Sequence, residues 1–339
     1  MRVNSGLRRI LAATSTGVML AAISAAFPIT SALAGHVNCG DTITADTTLD
    51  SDLVNCPNNG IVIGADDITF DLNGHTIDGN DALVEPCPEN EFCDIGIAND
   101  GHNGVRIVGS GIVRQFAVGV LVVGARRNGV LRLTTDENVF AGIILVNAAR
   151  SRVRGNTSTR NSGPDSGVGI VLFRSDDNRI ADNTASRNAE LGIHLIQADD
   201  NHIGNNRVRA NPEDGIILQG HDNQIVRNSV VLNAITVTLF TDNAHASGNV
   251  IRRNRVRRAP RGGIGIDRAI VRTVVKRNHV FGAGVDGIRV GNPRTTLTRN
   301  EARNNGRLGI NAVEGVIDGG GNRASGNGDP RQCVNVTCQ

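Results

Sequence analysis

The chain has 339 residues, with 35 Lys and Arg against 33 Asp and Glu, a formal charge of +2, 41 Gly, eight Phe and neither Trp nor Tyr. So few flat aromatic faces exclude ring stacking as the main way of holding neutral sugars or quaternary cations. A near-neutral total likewise leaves no large uniform field for a polyanion or a membrane surface to follow, unless the charge is segregated along the chain.

Residues 1–34 read as a signal peptide. Arg8 and Arg9 form a basic start, residues 10–26 are mostly small and apolar, and Ala32-Leu33-Ala34 is the small-residue pattern expected before a cleavage site. The mature protein is expected to start at Gly35 and to be secreted, either outside the cell or into a periplasm. That location disfavours nucleic acid as a partner, and no later apolar run is long enough to span a bilayer. Removing Arg2, Arg8 and Arg9 leaves 32 basic against 33 acidic residues, a charge of −1. The halves then differ: residues 35–105 hold 14 acidic and no basic side chains, whereas residues 106–339 hold 19 acidic and 32 basic, a net +13. Lys276 is the only lysine. The basic part calls for an acidic partner.

Residues 35–59 are expected to cap the fold, with Cys39-Gly40-Asp41 and residues 49–56 covering a first coil at Gly60-Ile61-Val62-Ile63. After Ile68-Thr69-Phe70-Asp71-Leu72-Asn73-Gly74-His75-Thr76-Ile77-Asp78-Gly79, residues 80–94 form an excursion that carries Pro86, Pro88, Cys87 and Cys93. From there one phrase returns with anchors at Gly96, Gly119, Gly142, Gly169, Gly192, Gly215, Thr236, Gly263, Gly287 and Gly309, as in Gly192-Ile193-His194-Leu195. A period in the low twenties means stacked units, each too small to bury a core alone. Apolar residues alternate within each unit, which is the pattern of short strands and not of an amphipathic helix. A second phrase sets an Asn in register at Asn156, Asn183, Asn206, Asn228, Asn254, Asn278 and Asn300, and a further column runs through Asn161, Asn188, Asn211, Asn233 and Asn305. At a strand spacing of about 4.8 Å, such amides form hydrogen-bonded ladders at tight bends. The chain closes with Gly319-Gly320-Gly321 and a terminal cap over residues 326–339.

On these repeats, which cover residues 60–322, the chain is similar to the right-handed parallel β-helix repeat proteins. That group includes pectate-lyase-like enzymes, carbohydrate-binding and sugar-hydrolase modules, and a periplasmic family linked to copper delivery. The resemblance implies an all-β solenoid of about ten coils over residues 60–325. The six mature cysteines fall into near pairs, Cys39 with Cys56, Cys87 with Cys93 and Cys333 with Cys338, and nearest-neighbour pairing is the simplest of the fifteen possible connectivities.

Two columns carry the candidate chemistry. The residue before the ladder Asn is Arg227, Arg253, Arg277 and Arg299 in four successive coils, flanked by Arg252, Arg255, Arg257, Arg258 and Lys276. Charges stacked about 5 Å apart repel by about 1 kcal/mol even in water, so this column is the predicted substrate-binding surface for an anionic polysaccharide. In a lyase reading, Lys276, Arg277 or His279 would serve as base and Arg253 or Arg299 would neutralise the uronate carboxylate. A second column, Asp176-Asp177-Asn178, Asp199-Asp200-Asn201, His221-Asp222-Asn223 and Asp242-Asn243, is chiefly what tight turns select. It also offers carboxylates for Ca²⁺ or glycosidase chemistry. No other cofactor is expected. Copper is disfavoured, since Met1 and Met19 lie in the leader and the cysteines pair. His194 is a lone outward histidine, expected to be solvated. Alternation also turns Leu121, Val123, Ile144, Val146, Val171, Phe173, Ile196, Ile217 and Phe240 outward, an apolar stripe that calls for self-association, a partner or a covering loop. The expected function is binding, and in its stronger form cleavage, of a uronate-type polysaccharide. The opposing reading is a structural surface protein with no glycan substrate.

Overall fold

The structure, a computed structural model, describes residues 36–83, 87, 93–164, 166–238 and 246–339. The expected signal peptide lies outside these residues. The chain winds as a right-handed parallel β-helix in which each coil gives one strand to each of three parallel sheets, of 13, 12 and 12 strands. Leu191–Ile196, His202–Gly204 and Arg207–Arg209 form one such coil, and Ile216–Gln219 begins the next directly beneath Leu191–Ile196. Among the described residues there is no α-helix.

The coil count is about twelve, not ten. The residues expected only to cover the ends take up the ladder themselves: Asp41–Ile43 pairs with Ile61–Ile63, and Cys333–Val334 pairs with Ile310–Ala312. Disulfides close both ends, Cys39–Cys56 with Cα atoms 5.3 Å apart and Cys333–Cys338 at 6.2 Å. A third, Cys87–Cys93 at 5.8 Å, staples the excursion between the second and third coils.

Inside, the alternation reads as expected. Ile170, Leu172, Ile193, Leu195, Ile216 and Leu218 from the first sheet meet Ile203 and Ile225 from the second and Val208 and Val230 from the third, all fully buried. Each such side chain contributes about 1.5–3 kcal/mol of burial. The repeated glycine is required by space. A Cβ on Gly192 would lie 2.5 Å from the Gly215 carbonyl oxygen and 2.5 Å from Val208 Cγ1, and the same crowding recurs coil after coil. One anchor moves. Thr236 pairs with Ile217, and Ala234 takes the glycine place, because Ile235 and Val237 are the residues that pack inward.

Outside, the stripe on the first sheet is buried. Leu121, Ile144, Val171, Ile196 and Ile217 are 0% exposed and Phe173 is 5% exposed, in a second apolar cluster with Ile95, Val118, Ala141, Val168 and Leu191. Phe240 lies outside the described residues. His194, expected to be solvated, is 8% exposed in the midst of this cluster, with Nε2 3.3 Å from Gln219 Oε1. Burial pushes its imidazole down to about 4.

Candidate anion-binding surface

The corner between the second and third sheets is made in two residues. Val250–Arg252 ends, Arg253 turns the chain at a φ of 58°, Asn254 points inward, and Arg255–Arg257 begins the next side. Asn254 donates from Nδ2 to the Ile225 carbonyl at 2.8 Å and to Asn278 Oδ1 at 3.0 Å, and Asn278 Oδ1 also accepts from the Asn254 backbone N–H. The same bonds repeat from Asn156 down to Asn322, one coil beyond the column read from sequence. The ladder thereby sets the residue before it at one corner of every coil.

That residue is left-handed throughout: Arg132, Gly155, Asp182, Asn205, Arg227, Arg253, Arg277, Arg299 and Gly321 all have φ between 52° and 72°. Backbone bonds tie the four arginines to successive coils, Arg227 N–H to the Arg252 carbonyl at 3.1 Å, Arg253 to Lys276 at 3.1 Å, and Arg277 to Thr298 at 3.0 Å. All four side chains are exposed. Among the described residues the corner column forms an ion pair at Asp182, which holds Arg154 at 2.8 Å, and none at Arg227, Arg253, Arg277 or Arg299. Arg255 and Arg257 stand exposed beside them on the third sheet and Lys276 on the second. Three other left-handed arginines are engaged: Arg150 with Asp177, Arg160 with Asp136 and Glu137, and Arg174 over the Phe173 ring at 4.9 Å. The structure thus gathers the arginine column, Lys276 and His279 on one convex ridge. His279 is occupied there, with Nδ1 2.7 Å from Glu301 Oε2. A ridge suits binding along a polymer better than the water-excluded chemistry of a lyase.

The Asp column resolves into turn structure. Asn178, Asn201 and Asn223 are a third buried ladder, each Oδ1 accepting the backbone N–H of the coil before, while Asp177, Asp200 and Asp222 take the left-handed place. The ladder continues through Gly248 and Asn249, and Asp242-Asn243 lies outside the described residues. Desolvation, then neighbouring Asp222 and Asp177, raises the Asp200 carboxyl. Among the described residues, no group of three or more His, Cys, Asp or Glu converges as a metal site.

Sequence reasoning missed a concave feature. A groove of about 1370 Å³ crosses the outer face of the first sheet over strands Ile235–Val237, Ile264–Ile266, Ile288–Val290 and Ile310–Ala312. Its signal was present: the outward residue of the repeated phrase, apolar at Leu121, Ile144, Val171 and Ile217, becomes Thr236, Gly265, Arg289 and Asn311.

Over residues 57–246 the sequence matches a family model described as periplasmic copper-binding protein (NosD), and over residues 192–335 one described as right handed beta helix region. No curated protein matches at a significant level. Among solved structures the chain is similar to a double mutant of the tailspike protein of E. coli bacteriophage HK620 in complex with pentasaccharide, with a TM-score of 0.62, 14% identity, and coverage of 89% of this chain and 64% of that one. A tailspike mutant of the same phage in complex with hexasaccharide gives a TM-score of 0.61 and 16% identity, covering 88% of this chain and 63% of that one. A double mutant of the periplasmic alginate epimerase AlgG gives 0.52 and 14%, covering 85% and 77%. The chain spans just under two thirds of the tailspike chains, and identities this low show the common fold alone.

Proposed function

This chain belongs to the family described as periplasmic copper-binding protein (NosD), and from that premise we propose that it is an exported protein that binds an anionic, uronate-type polysaccharide along its arginine corner. Copper fits the described residues poorly. Its soft ligands would be thiolate, thioether and imidazole, but all six cysteines are in disulfides and both methionines lie outside the described residues. His75 and His102 are held singly, by Asp52 and Asp66, and His194 is buried.

The observation that carries the proposal is the stack of Arg227, Arg253, Arg277 and Arg299, exposed on successive coils and, among the described residues, without an ion-pair partner. Strand spacing puts a guanidinium about every 4.8 Å along a straight edge, and a guanidinium binds a carboxylate through two parallel hydrogen bonds. A linear polyuronate laid along the edge meets one cation per coil and relieves the repulsion within the column. The oligosaccharides bound to the tailspike structures support a glycan on this scaffold, and the alginate epimerase supports a uronate; three disulfides suit an oxidising compartment.

The test is the double substitution Arg253→Ser/Arg277→Ser, with retention measured on pectate, alginate and a neutral glucan at low and moderate salt. Wild type should be held by the acidic polymers and released as salt rises, since exposed charges are screened within about 8 Å at physiological ionic strength. The variant should elute early from both. Unchanged retention of the variant, or equal retention of wild type on the neutral glucan, would remove the polysaccharide assignment and leave a structural scaffold.

A further inference from the structure

The groove on the first sheet faces away from the arginine corner, because each coil turns through both other sheets before returning to it. Its floor is one column of outward positions, Thr236, Gly265, Arg289 and Asn311, paired in sequence across four strands. These span three coil spacings, about 14 Å. Gly265 makes the floor low. Its φ is not in the left-handed region, and a Cβ there would meet only Thr236 Oγ1, at 3.9 Å, so backbone and neighbours tolerate a side chain that the sequence leaves out. Arg289 rises beside this gap, exposed and, among the described residues, without an ion-pair partner.

Both walls set charged groups among apolar side chains such as Ala234, Ala269 and Val285. On one side Asp214 lines the groove beside Thr236 and Arg261. Asp286, 4% exposed, accepts from the Leu308 N–H at 3.1 Å and from Asn311 Nδ2 at 2.8 Å. On the other side Asp267 accepts from the Thr238 hydroxyl, next to Arg268. Arg261, Arg268, Arg289 and Arg307 against Asp214, Asp267 and Asp286 leave the lining with one net positive charge.

We propose that this groove is a second binding site, distinct from the arginine corner, for a short acidic oligosaccharide whose carboxylate pairs with Arg289 and whose hydroxyls donate to the wall carboxylates. The chemistry follows from the lining. A carboxylate oxygen that accepts from one donor keeps a lone pair for a hydroxyl, and a guanidinium with free N–H groups selects a planar anion. A volume above the 300–1,000 Å³ usual for small ligands suits several linked rings better than one. An apolar ligand leaves the wall carboxylates and Arg289 unanswered, and a neutral sugar leaves Arg289 unanswered.

Calorimetric titration of the purified chain with a uronate trisaccharide and with a neutral glucose trisaccharide tests this. Wild type should bind the first and not the second. Gly265→Gln fills the floor from a position with room for a side chain, and Arg289→Gln removes the charge without changing the backbone. Each should weaken binding at least tenfold with the melting temperature kept. In the Arg253→Ser/Arg277→Ser background, where the ridge is disabled, trisaccharide binding should persist and should again fall at least tenfold with Gly265→Gln, which separates this site from polymer retention on the ridge. No binding by wild type, equal binding of the neutral sugar, undiminished binding by Gly265→Gln, or loss of binding in the ridge variant would each overturn the proposal.

Discussion

A left-handed bend costs an ordinary L-residue about 1–2 kcal/mol and glycine almost nothing. At the corner between the second and third sheets Gly155, Asp182, Asn205 and Gly321 suit that backbone, whereas Arg227, Arg253, Arg277 and Arg299 do not. Arg253→Gly is therefore expected to leave stability unchanged or raise it by up to about 1 kcal/mol, since glycine's unfolded-state entropy offsets part of the relief. Denaturant unfolding checks this, and a loss above about 1 kcal/mol would make the guanidinium a structural group. The column itself was legible in the sequence because it precedes a regular Asn; its φ and, among the described residues, its lack of ion pairs were not, since both depend on what neighbouring coils place beside it. The same limit applies at His194, where alternation gives the face but not what covers it. Glu190 supplies a pH-dependent counterpart. Burial first, then Glu213 on the next coil, pushes its carboxyl up from 4.5 to about 7. A raised carboxyl favours the folded state only while protonated, so its contribution is present at low pH and declines as pH rises from about 4.5 to about 7. Glu190→Gln should match wild type near pH 4, gain stability over it through that window, and hold a constant advantage above it. Melting temperatures across pH 4–8 decide the matter, and a difference that does not grow with pH would contradict it.

Between single residues and the whole rod, the ladder is the unit that fixes register. Asn206 alone accepts the Asn183 backbone N–H at 3.0 Å and Asn183 Nδ2 at 3.0 Å, and donates from Nδ2 to the Ile180 carbonyl at 2.9 Å and to Asn228 Oδ1 at 3.0 Å. These groups are buried without access to water, so Asn206→Ala leaves several unserved at about 1–3 kcal/mol each. A loss of at least about 3 kcal/mol is expected in chemical unfolding, with Asn322→Ala near the end losing less; equal losses would show that the ladder is not the clamp. The sequence displayed two of the three ladders through their spacing. The third, at Asn178, Asn201, Asn223 and Asn249, was masked by the Asp residues that share its turns. Thr236 was misplaced for a related reason. Thr236-Val237-Thr238 mimics the repeated phrase, and only the inward packing of Ile235 and Val237 settles which residue stands over Ile217.

At the scale of the molecule, charge and shape are arranged along one axis. The described acidic residues of the segment 35–105, which holds 14 in its sequence, lie in the opening coils or the excursion between them, while the arginine corner and the first-sheet groove occupy the other end. Fold class was legible because a solenoid repeats its instructions; the groove was hard to see because it is where the repeat is broken, at Gly265 and Arg289. Stacking also makes the rod a ruler. Asn183 and Asn206 occupy equivalent places 23 residues apart, so excising residues 184–206 joins Asn183 to Arg207 with every ladder rung still matched. The shortened chain should fold into a rod one graduation, about 4.8 Å, shorter, with the spacing of the four corner arginines untouched and polymer retention kept. Removing half that length would set inward residues outward and abolish folding. Small-angle scattering and circular dichroism of the two deletions would read the difference, and a lineage could lengthen or shorten this protein only in whole graduations without disturbing what it holds.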